Sequence, residues 1–326
     1  MPHLRSAFRP VSRRLALAFV SVALSGLTVA GARADDTIRI GYQRSSTLTT
    51  LLKTSGELEA ALAKQNVKVT WHEFTSGLPL LEALNTGNVD FSADVADTVP
   101  VFAQAAGAKL TYVAEEAASP AAQAILVPAN SPITSVAELK GRKIAVTKGA
   151  GSHYLLLAAL TKAGVSIKDV TPAYLTPADG RAAFIGGNVD ALVVWDPFLA
   201  STQAQSGAKV LQNGEGLSGY KRYYLTTDAF AKRNGPALET IVTQLKAKGA
   251  WVKANPKEAA EQLAGLWKID AAVVEQGNAR RSYQVATVTK DGLAEQQKIA
   301  DAFFAEGLFP KSIVTGETAI WQPVSQ

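Results

Sequence analysis

Apolar stretches of strand length alternate with amphipathic stretches along most of the chain, which predicts strands that alternate with helices. Residues 37–42 and 143–147 are two such apolar stretches, each followed by a loop of small polar residues and a helical pattern. Residues 67–74 and 170–175 have the composition and alternation typical of strands. With a third strand in each set, the order strand, helix, strand, helix, strand occurs twice, roughly a hundred residues apart.

A repeated tetrapeptide supports this internal duplication. Gly-Asn-Val-Asp occupies residues 87–90 and 187–190, each time after a helical pattern and before an apolar stretch. The preceding helices have matching start signals at residues 76–79 and 176–179, where a small polar residue can cap the helix and a proline lies in the first turn. The sequence therefore predicts two α/β lobes of similar construction.

Strands joined by helices of this length form parallel sheets with right-handed crossovers, and ligands of such sheets bind beyond the carboxyl ends of the strands. The end of the chain is mainly helical, and its helices are expected to cover the first lobe; they are predicted at residues 236–254, 256–266, 271–279 and 291–306. The chain would cross between lobes near Pro120–Gln123 and near Tyr220–Thr227. The predicted boundaries are residues 35–122 and 223–326 for lobe I and residues 123–222 for lobe II.

The charge distribution argues against a polyanionic partner. The formal net charge is +5, but five arginines and no acidic residue precede residue 35, and the remaining 28 basic residues balance 28 acidic ones. A balanced body without a cluster of Lys and Arg disfavours nucleic acid or an anionic membrane as the main partner. Binding of a small molecule is favoured by elimination.

Residues 1–34 are predicted to be a secretory signal peptide, with a basic start, an apolar run and a small-residue cleavage site at Ala32-Arg33-Ala34. A retained membrane anchor is the alternative, because the apolar run is close to spanning length. No later segment is apolar enough to span a membrane. The chain contains no Cys, and therefore no disulfide, thiolate nucleophile or lipid-anchor cysteine. We predict a freely diffusing periplasmic monomer without cofactor or metal.

Polar or glycine-containing loops follow the predicted strands of both lobes, and nearly all of them run into a helix start. Helix starts present free backbone N–H groups and the positive end of the helix dipole, which suits an anionic ligand. These loops are residues 43–47, 76–77, 94–98, 148–153, 176–177 and 195–197.

The loop at residues 148–153 is the most distinctive of them. Its glycines allow the backbone to approach a ligand, and Ser152 supplies a hydroxyl donor. A plain strand–helix connection with Ser152 as the N-cap is the alternative, and the spacing of a Walker motif is absent. His153 could donate a hydrogen bond to a ligand or could be structural.

Trp195 closes the apolar strand at residues 191–195, so its ring is expected at the mouth of the cleft, where it could stack on the organic part of a ligand. Core packing is the alternative for this ring. A carboxylate repels a permanent anion, so we expect Asp97 and Asp196 to cap helices, to orient donors or to meet a ligand ammonium. Arg44 could supply a cationic group, with an exposed loop arginine as the alternative.

The chain resembles the periplasmic aliphatic sulfonate-binding proteins, which are close relatives of the taurine-binding proteins. The resemblance covers essentially the whole mature chain and implies a type II periplasmic-binding fold with the ligand cleft between two lobes. It also implies an ABC transporter permease, with its cytoplasmic ATPase, as the partner. The segments that carry it are residues 40–43, 102–107, 139–145, 148–149, 152–153, 174–179, 194–197 and 320–323.

The resemblance also implies a set of residues that line the cleft. One departure lies at residues 95–97, where the family commonly has Thr-Gly-Asp and this chain has Val-Ala-Asp, which alters the contacts of that turn. Tyr220 and Arg222 receive no role. The implied ligand-binding residues are Gln43, Gly77, Leu78, Asp97, Thr98, Gln123, Gly151, Ser152, His153, Trp195 and Asp196.

The predicted function is the capture of a small organosulfonate anion for ABC-type import. A sulfonate carries three acceptor oxygens and a permanent negative charge, so its site must offer donors only. Taurine, nitrate and a thiamine-pyrimidine precursor are rival ligands within the same class. A desulfinase-like enzyme is disfavoured because it uses a Cys nucleophile, and a ligand sensor for a membrane kinase is a third alternative.

Overall fold

The computed structural model describes residues 36–323, and the predicted signal peptide lies outside them. The strands are β1 (Asp36–Gln43), β2 (Val67–Phe74), β3 (Phe91–Ala96), β4 (Thr111–Glu116), β5 (Gln123–Val127), β6 (Lys143–Val146), β7 (Thr171–Tyr174), β8 (Ala191–Trp195), β9 (Lys209–Asn213), β10 (Arg222–Thr226), β11 (Val285–Thr287) and β12 (Ala319–Ile320). The helices are α1 (Thr47–Ser55), α2 (Glu57–Ala63), α3 (Gly77–Asn85), α4 (Thr98–Ala105), α5 (Gly151–Lys162), α6 (Pro177–Ile185), α7 (Phe198–Ser206), α8 (Asp228–Arg233), α9 (Gly235–Ala254), α10 (Pro256–Trp267), α11 (Ala271–Ala279) and α12 (Ala294–Ala305).

These elements form two separate sheets, which confirms the predicted two-lobed α/β class. The sheet of lobe I has the strand order β11-β4-β10-β3-β1-β2, with β12 also paired to β4. The sheet of lobe II has the order β7-β6-β8-β5-β9. The residue boundaries predicted for the lobes stay a prediction.

The two copies of Gly-Asn-Val-Asp make the same contacts in their respective lobes. The backbone N–H of Asp90 donates to the Arg39 carbonyl, and that of Asp190 donates to the Lys143 carbonyl, each at 2.8 Å. Each carboxylate in turn accepts from the backbone N–H of the same strand residue, at 2.9 Å in lobe I and 2.8 Å in lobe II. The sequence repeat therefore marks a repeated turn that fixes the third strand of each set beside the first.

The expectation of parallel sheets is wrong for β5 and β10, and β11 also pairs antiparallel with β4. β1 pairs parallel with β2 and β3, and β6 pairs parallel with β7 and β8. However, β5 runs antiparallel to β8 and β9, and β10 runs antiparallel to β3 and β4. These are the strands that follow the two passages between the lobes. Most of the second predicted crossing, Tyr220–Thr227, is therefore strand, and the crossing precedes it.

Two of the late helices cover lobe I as predicted, whereas α11 and α12 also contact lobe II. Helices α9 and α10 pack on the core that contains β1, α1 and α2. Helix α12 instead contacts α4 of lobe I and α5 of lobe II. Its Phe303 ring lies 4.7 Å from the Phe102 ring and 5.1 Å from the His153 ring, measured between centroids. This helix therefore packs on both lobes.

Candidate functional site

Two helix starts, one from each lobe, come together beyond the carboxyl ends of their strands. Helix α4 begins at Thr98, directly after β3, and α5 begins at Gly151, after β6. A Cβ atom placed on Gly151 would lie 2.5 Å from the Tyr220 ring and 3.1 Å from the Ala96 Cβ. A larger residue than glycine would therefore clash at this approach of the two lobes.

Four of the predicted site residues carry a polar side-chain atom that is buried and makes no hydrogen bond within the described protein. These atoms are Thr98 Oγ1, Gln123 Oε1, Ser152 Oγ and Trp195 Nε1. Gln123 and Trp195 are opposed in the antiparallel pair of β5 and β8, so their side chains point to the same face of the sheet. Buried polar groups in proteins are normally paired. Unpaired groups at these positions indicate a site for a polar ligand group.

Asp97 uses its carboxylate within the turn that precedes α4. Its Oδ1 accepts from the backbone N–H of Thr98 at 3.0 Å, and its Oδ2 accepts from the backbone N–H of Lys221 at 3.2 Å. Burial raises the pKa of Asp97 to about 7, although both hydrogen bonds oppose the rise. Asp97 therefore caps the helix that carries Thr98 and ties its turn to the segment before β10.

Asp196 connects lobe II to lobe I. Arg280 Nη1 donates to both carboxylate oxygens of Asp196 at 3.0 Å, and Arg280 Nη2 donates to Gln203 Oε1 at 2.9 Å. The same carboxylate accepts from the backbone N–H of Ala200 in the first turn of α7. Burial raises the pKa of Asp196, and the Arg280 guanidinium opposes the rise. Because Arg280 follows α11 of lobe I, these contacts hold the two lobes together at this edge of the cleft.

His153 is surrounded by protein groups. Its Nδ1 accepts from the backbone N–H of Gly149 at 3.2 Å, and its Nε2 lies 3.4 Å from the Tyr174 hydroxyl. Burial lowers the pKa of His153 to about 4, so the imidazole is neutral at neutral pH. Both ring nitrogens have protein partners, which agrees with the structural alternative for this residue.

The other three predicted residues lie on the lobe I side. Gln43 ends β1, and its Nε2 donates to the Asp94 carbonyl at 3.1 Å. Gly77 begins α3. Leu78 Cδ1 lies 2.6 Å from the place that a Cβ on Gly149 would take, so this side chain touches the loop that leads into α5 of lobe II.

A buried cluster of charges next to the start of α5 was not predicted. Arg222 Nε lies 2.5 Å from Asp94 Oδ2, and Arg281 Nη2 lies 2.5 Å from Glu116 Oε2 and 3.3 Å from Asp94 Oδ2. Arg222 Nη1 also donates to the Tyr220 hydroxyl at 2.9 Å. Two guanidinium groups are thus balanced by two carboxylates. No local pattern indicates this cluster, because its partners are far apart in the sequence. Arg281 is 165 positions from Glu116 and 187 positions from Asp94.

A pocket of about 340 Å³ opens between the lobes. Trp195 is 4% exposed rather than at the mouth of the cleft, and the ring of Phe198, at 6.2 Å from it, lines the pocket instead. Arg44 also lines the pocket, and its guanidinium donates to the Trp267 carbonyl. The remaining lining residues are Glu73, Phe74, Thr75, Thr176, Pro177 and Ala178.

Residues 36–323 contain neither a cluster of metal ligands nor a helix that could cross a membrane. No group of three or more His, Asp or Glu side chains in this range is arranged to hold a metal ion. None of the helices in the same range is both long and apolar enough to cross a membrane.

Comparisons with known proteins identify the family of this chain. The NMT1/THI5-like family model matches residues 62–259. A putative aliphatic sulfonates-binding protein of Escherichia coli (strain K12) is 39% identical over 311 residues, covering 95% of this chain and 96% of the relative. A protein of Bacillus subtilis (strain 168) with the same description is 33% identical, covering 92% and 91%.

Solved structures extend the comparison to the fold. The alkanesulfonate-binding protein SsuA from Xanthomonas axonopodis pv. citri, bound to MOPS, is 38% identical with a TM-score of 0.83, covering 89% of this chain and 99% of that one. This similarity confirms the periplasmic-binding-protein fold that the resemblance implied. The chain belongs to the NMT1/THI5-like family and, within the proteins compared, to the family of the aliphatic sulfonates-binding proteins.

Proposed function

We propose that this chain is a periplasmic solute-binding protein that captures an aliphatic sulfonate between its lobes for ABC-type import. The observation that carries the proposal is the set of buried, unpaired polar atoms on Thr98, Gln123, Ser152 and Trp195. Two hydroxyls and an indole N–H are donors, and they come from both lobes. A group with three acceptor oxygens that reaches all of them would bridge the lobes.

The proposed site holds the anion without a dedicated counter-charge. The starts of α4 and α5 add the partial positive charge of two helix dipoles, and the arginines nearby are already paired with carboxylates. The organic part of the ligand would extend toward the pocket lined by Phe198. This division suits a ligand with a constant anionic head and a variable apolar tail.

We also propose that the protein acts as a monomer in the periplasm and delivers its ligand to an ABC permease with its ATPase. The membership in a family of binding proteins supports this role. A desulfinase-like role is disfavoured because it would use a Cys nucleophile and the chain contains no Cys. Nor does the geometry suit a Ser152–His153 dyad, since both ring nitrogens of His153 have other partners.

Calorimetric titration tests the proposal. The protein would be purified from its full-length reading frame, freed of bound ligand by unfolding and refolding, and titrated with ethanesulfonate, taurine, nitrate, sulfate and a thiamine-pyrimidine precursor. We expect short alkanesulfonates to bind with a Kd of roughly micromolar order, because an importer must also release its ligand. This Kd corresponds to a binding free energy of about −8 kcal/mol. Binding of nitrate or of the pyrimidine alone would contradict the sulfonate assignment and leave the transport role intact.

A further inference from the structure

The hydrogen bond between Gln123 and Ser218 has a consequence for ligand recognition. Gln123 is 0% exposed, and its Nε2 donates to Ser218 Oγ at 2.9 Å. Its Oε1 is left buried without a partner. In this orientation the amide would present an acceptor to the cleft, and an acceptor would repel a sulfonate oxygen.

The partner of this amide is a hydroxyl, which can either donate or accept. Ser218 is 5% exposed and lies in the segment that leads from lobe II back to lobe I. If the Gln123 amide turns over, Ser218 Oγ can donate to Oε1 over the same distance. The two hydrogens on Nε2 then face the cleft. The oxygen and nitrogen of a glutamine amide occupy nearly the same volume, so the exchange needs no change of packing.

We infer that Ser218 is a positioning residue that determines which end of the Gln123 amide faces the ligand. In the sulfonate complex Ser218 donates to Oε1, and Gln123 donates through Nε2 to the anion. This inference rests on the proposed function, which supplies the acceptor-only ligand. It adds a residue from the crossing segment to the recognition of that ligand.

The environment of the amide favours this arrangement. Trp195 lies opposite Gln123 in the strand register, and its Nε1 also has no partner in the described protein. With the amide turned over, these neighbouring side chains both present donors to the same face. A single anionic oxygen group can then satisfy both, whereas the opposite orientation would place a donor and an acceptor beside each other facing an acceptor-only ligand.

A double-mutant cycle separates this role from a merely structural one. Ethanesulfonate would be titrated into the wild type and into S218A, Q123A and the double variant. We expect S218A to weaken binding about five- to thirtyfold, as for the loss of one or two hydrogen bonds, and S218T to restore most of the affinity. In the Q123A background, S218A should cause no further loss. Equal losses in both backgrounds, or no loss in S218A, would overturn the inference.

The matched control is S92A, because Ser92 is also fully buried but donates to the Ala93 carbonyl within β3. The S92A variant should bind ethanesulfonate with the same affinity as the wild type. Should S218A fail to fold, the side-chain amide signals of Gln123 in ¹⁵N-labelled wild type, assigned by their loss in Q123A, provide a second measurement. Addition of ethanesulfonate should shift both N–H₂ signals, and unchanged signals in a saturated sample would overturn the inference. Failure of the wild type to bind any sulfonate would instead refute the proposed function on which it rests.

Discussion

Thr98 begins α4 with a hydroxyl that is fully buried and makes no hydrogen bond. Such a group costs stability when the ligand is absent and contributes a hydrogen bond to an anion when the ligand is present. We therefore expect Thr98→Val, which keeps the shape, to raise the free energy of unfolding of the ligand-free protein by about 1 kcal/mol. The same change should weaken ethanesulfonate binding by about 1.5–3 kcal/mol, as measured by denaturant unfolding and calorimetry.

Thr111 provides the matched control for this prediction. Its hydroxyl is likewise buried without a partner. Thr111 is the first residue of β4 and is opposite Thr226 in the strand register. Thr226 is at the other end of β10 from Arg222. Thr111→Val should raise stability to a similar extent without changing affinity. If Thr98→Val and Thr111→Val had the same affinity as the wild type, the hydroxyl of Thr98 would not contact the ligand.

Asp97 makes the free energy of unfolding depend on pH, and the direction of this dependence follows from its pKa. Burial raises its pKa to about 7 in the folded state, whereas an unfolded chain titrates near the ordinary value of 3.8. Its contribution to stability is thus fully present below about pH 4 and is lost as the pH rises toward 7, with a slope of at most about 1.4 kcal/mol per pH unit.

Asp97→Asn should remove this dependence, because asparagine can still cap α4 but cannot ionise. The difference in unfolding free energy between the wild type and the variant should therefore fall as the pH rises from about 4 through 7, and it should become constant about one pH unit above that. Urea denaturation at several pH values measures it, with the exposed Asp228→Asn as the control. Parallel curves for the wild type and Asp97→Asn would contradict the assigned pKa.

At this scale, local rules predicted the polar residues at helix starts and not the buried ion pairs. Thr98 and Ser152 could be identified because a strand end, a loop and a helix start are all local features of the sequence. The pairing of Arg222 with Asp94 depends on a strand that returns from the other lobe, and residue types alone do not indicate such a pairing.

Among the elements, α7 and α11 form the contact that closes one edge of the cleft, and Arg280 carries its charge pair. Removal of one partner of a desolvated ion pair at an interface mainly accelerates dissociation. We expect Arg280→Gln to release ethanesulfonate about ten- to a hundredfold faster than the wild type, with a smaller change in the association rate. Stopped-flow tryptophan fluorescence measures both rates.

The control for this variant is Lys232→Gln, which removes an exposed ion pair with Asp228 inside α8. Exposed pairs of this kind contribute little to stability, so neither rate should change. A dissociation rate for Arg280→Gln equal to that of Lys232→Gln would show that the contact between α7 and α11 does not restrain the closed cleft.

The bounds of strands and helices were predicted correctly where a single hydrophobic periodicity continued to a clear break. Strand direction was not predicted, because it depends on the topology of the chain. Strand β2 and helix α11 have the predicted bounds, because their patterns end at clear breaks. Helix α12 begins later than predicted, since residues 291–293 form a 3₁₀ turn before it. The antiparallel direction of β5 and β10 follows from how the chain passes between lobes, which hydrophobic periodicity does not contain.

For the whole molecule, the described structure has its lobes in contact through the Asp196–Arg280 pair, the approach of Gly151 to Ala96 and helix α12. Ligand exchange requires these contacts to separate. We expect the ligand-free protein to have a larger radius of gyration by small-angle scattering than the protein saturated with ethanesulfonate, through hinge closure of two rigid lobes. Identical profiles in the two conditions would contradict closure on binding.

The division of the chain between two sheets could be predicted at this scale because the repeat is visible in the sequence. Equivalent turns at residues 87–90 and 187–190 place equivalent strands in separate sheets. The closeness of the two helix starts could not be predicted, since it depends on Gly151 of lobe II lying against Ala96 of lobe I.

The same division sets an order of assembly for a polypeptide that is delivered amino end first. The sheet of lobe II uses only β5 to β9, which are neighbours along the chain. The sheet of lobe I begins with β1 but is complete only when β10, β11 and finally β12 have joined β4. Lobe II can thus finish folding while β4 still lacks all of its strand partners. Until β10 and the later strands arrive, β3 also has an open edge, and unpaired strands of this kind are prone to aggregation and suited to protection by a chaperone.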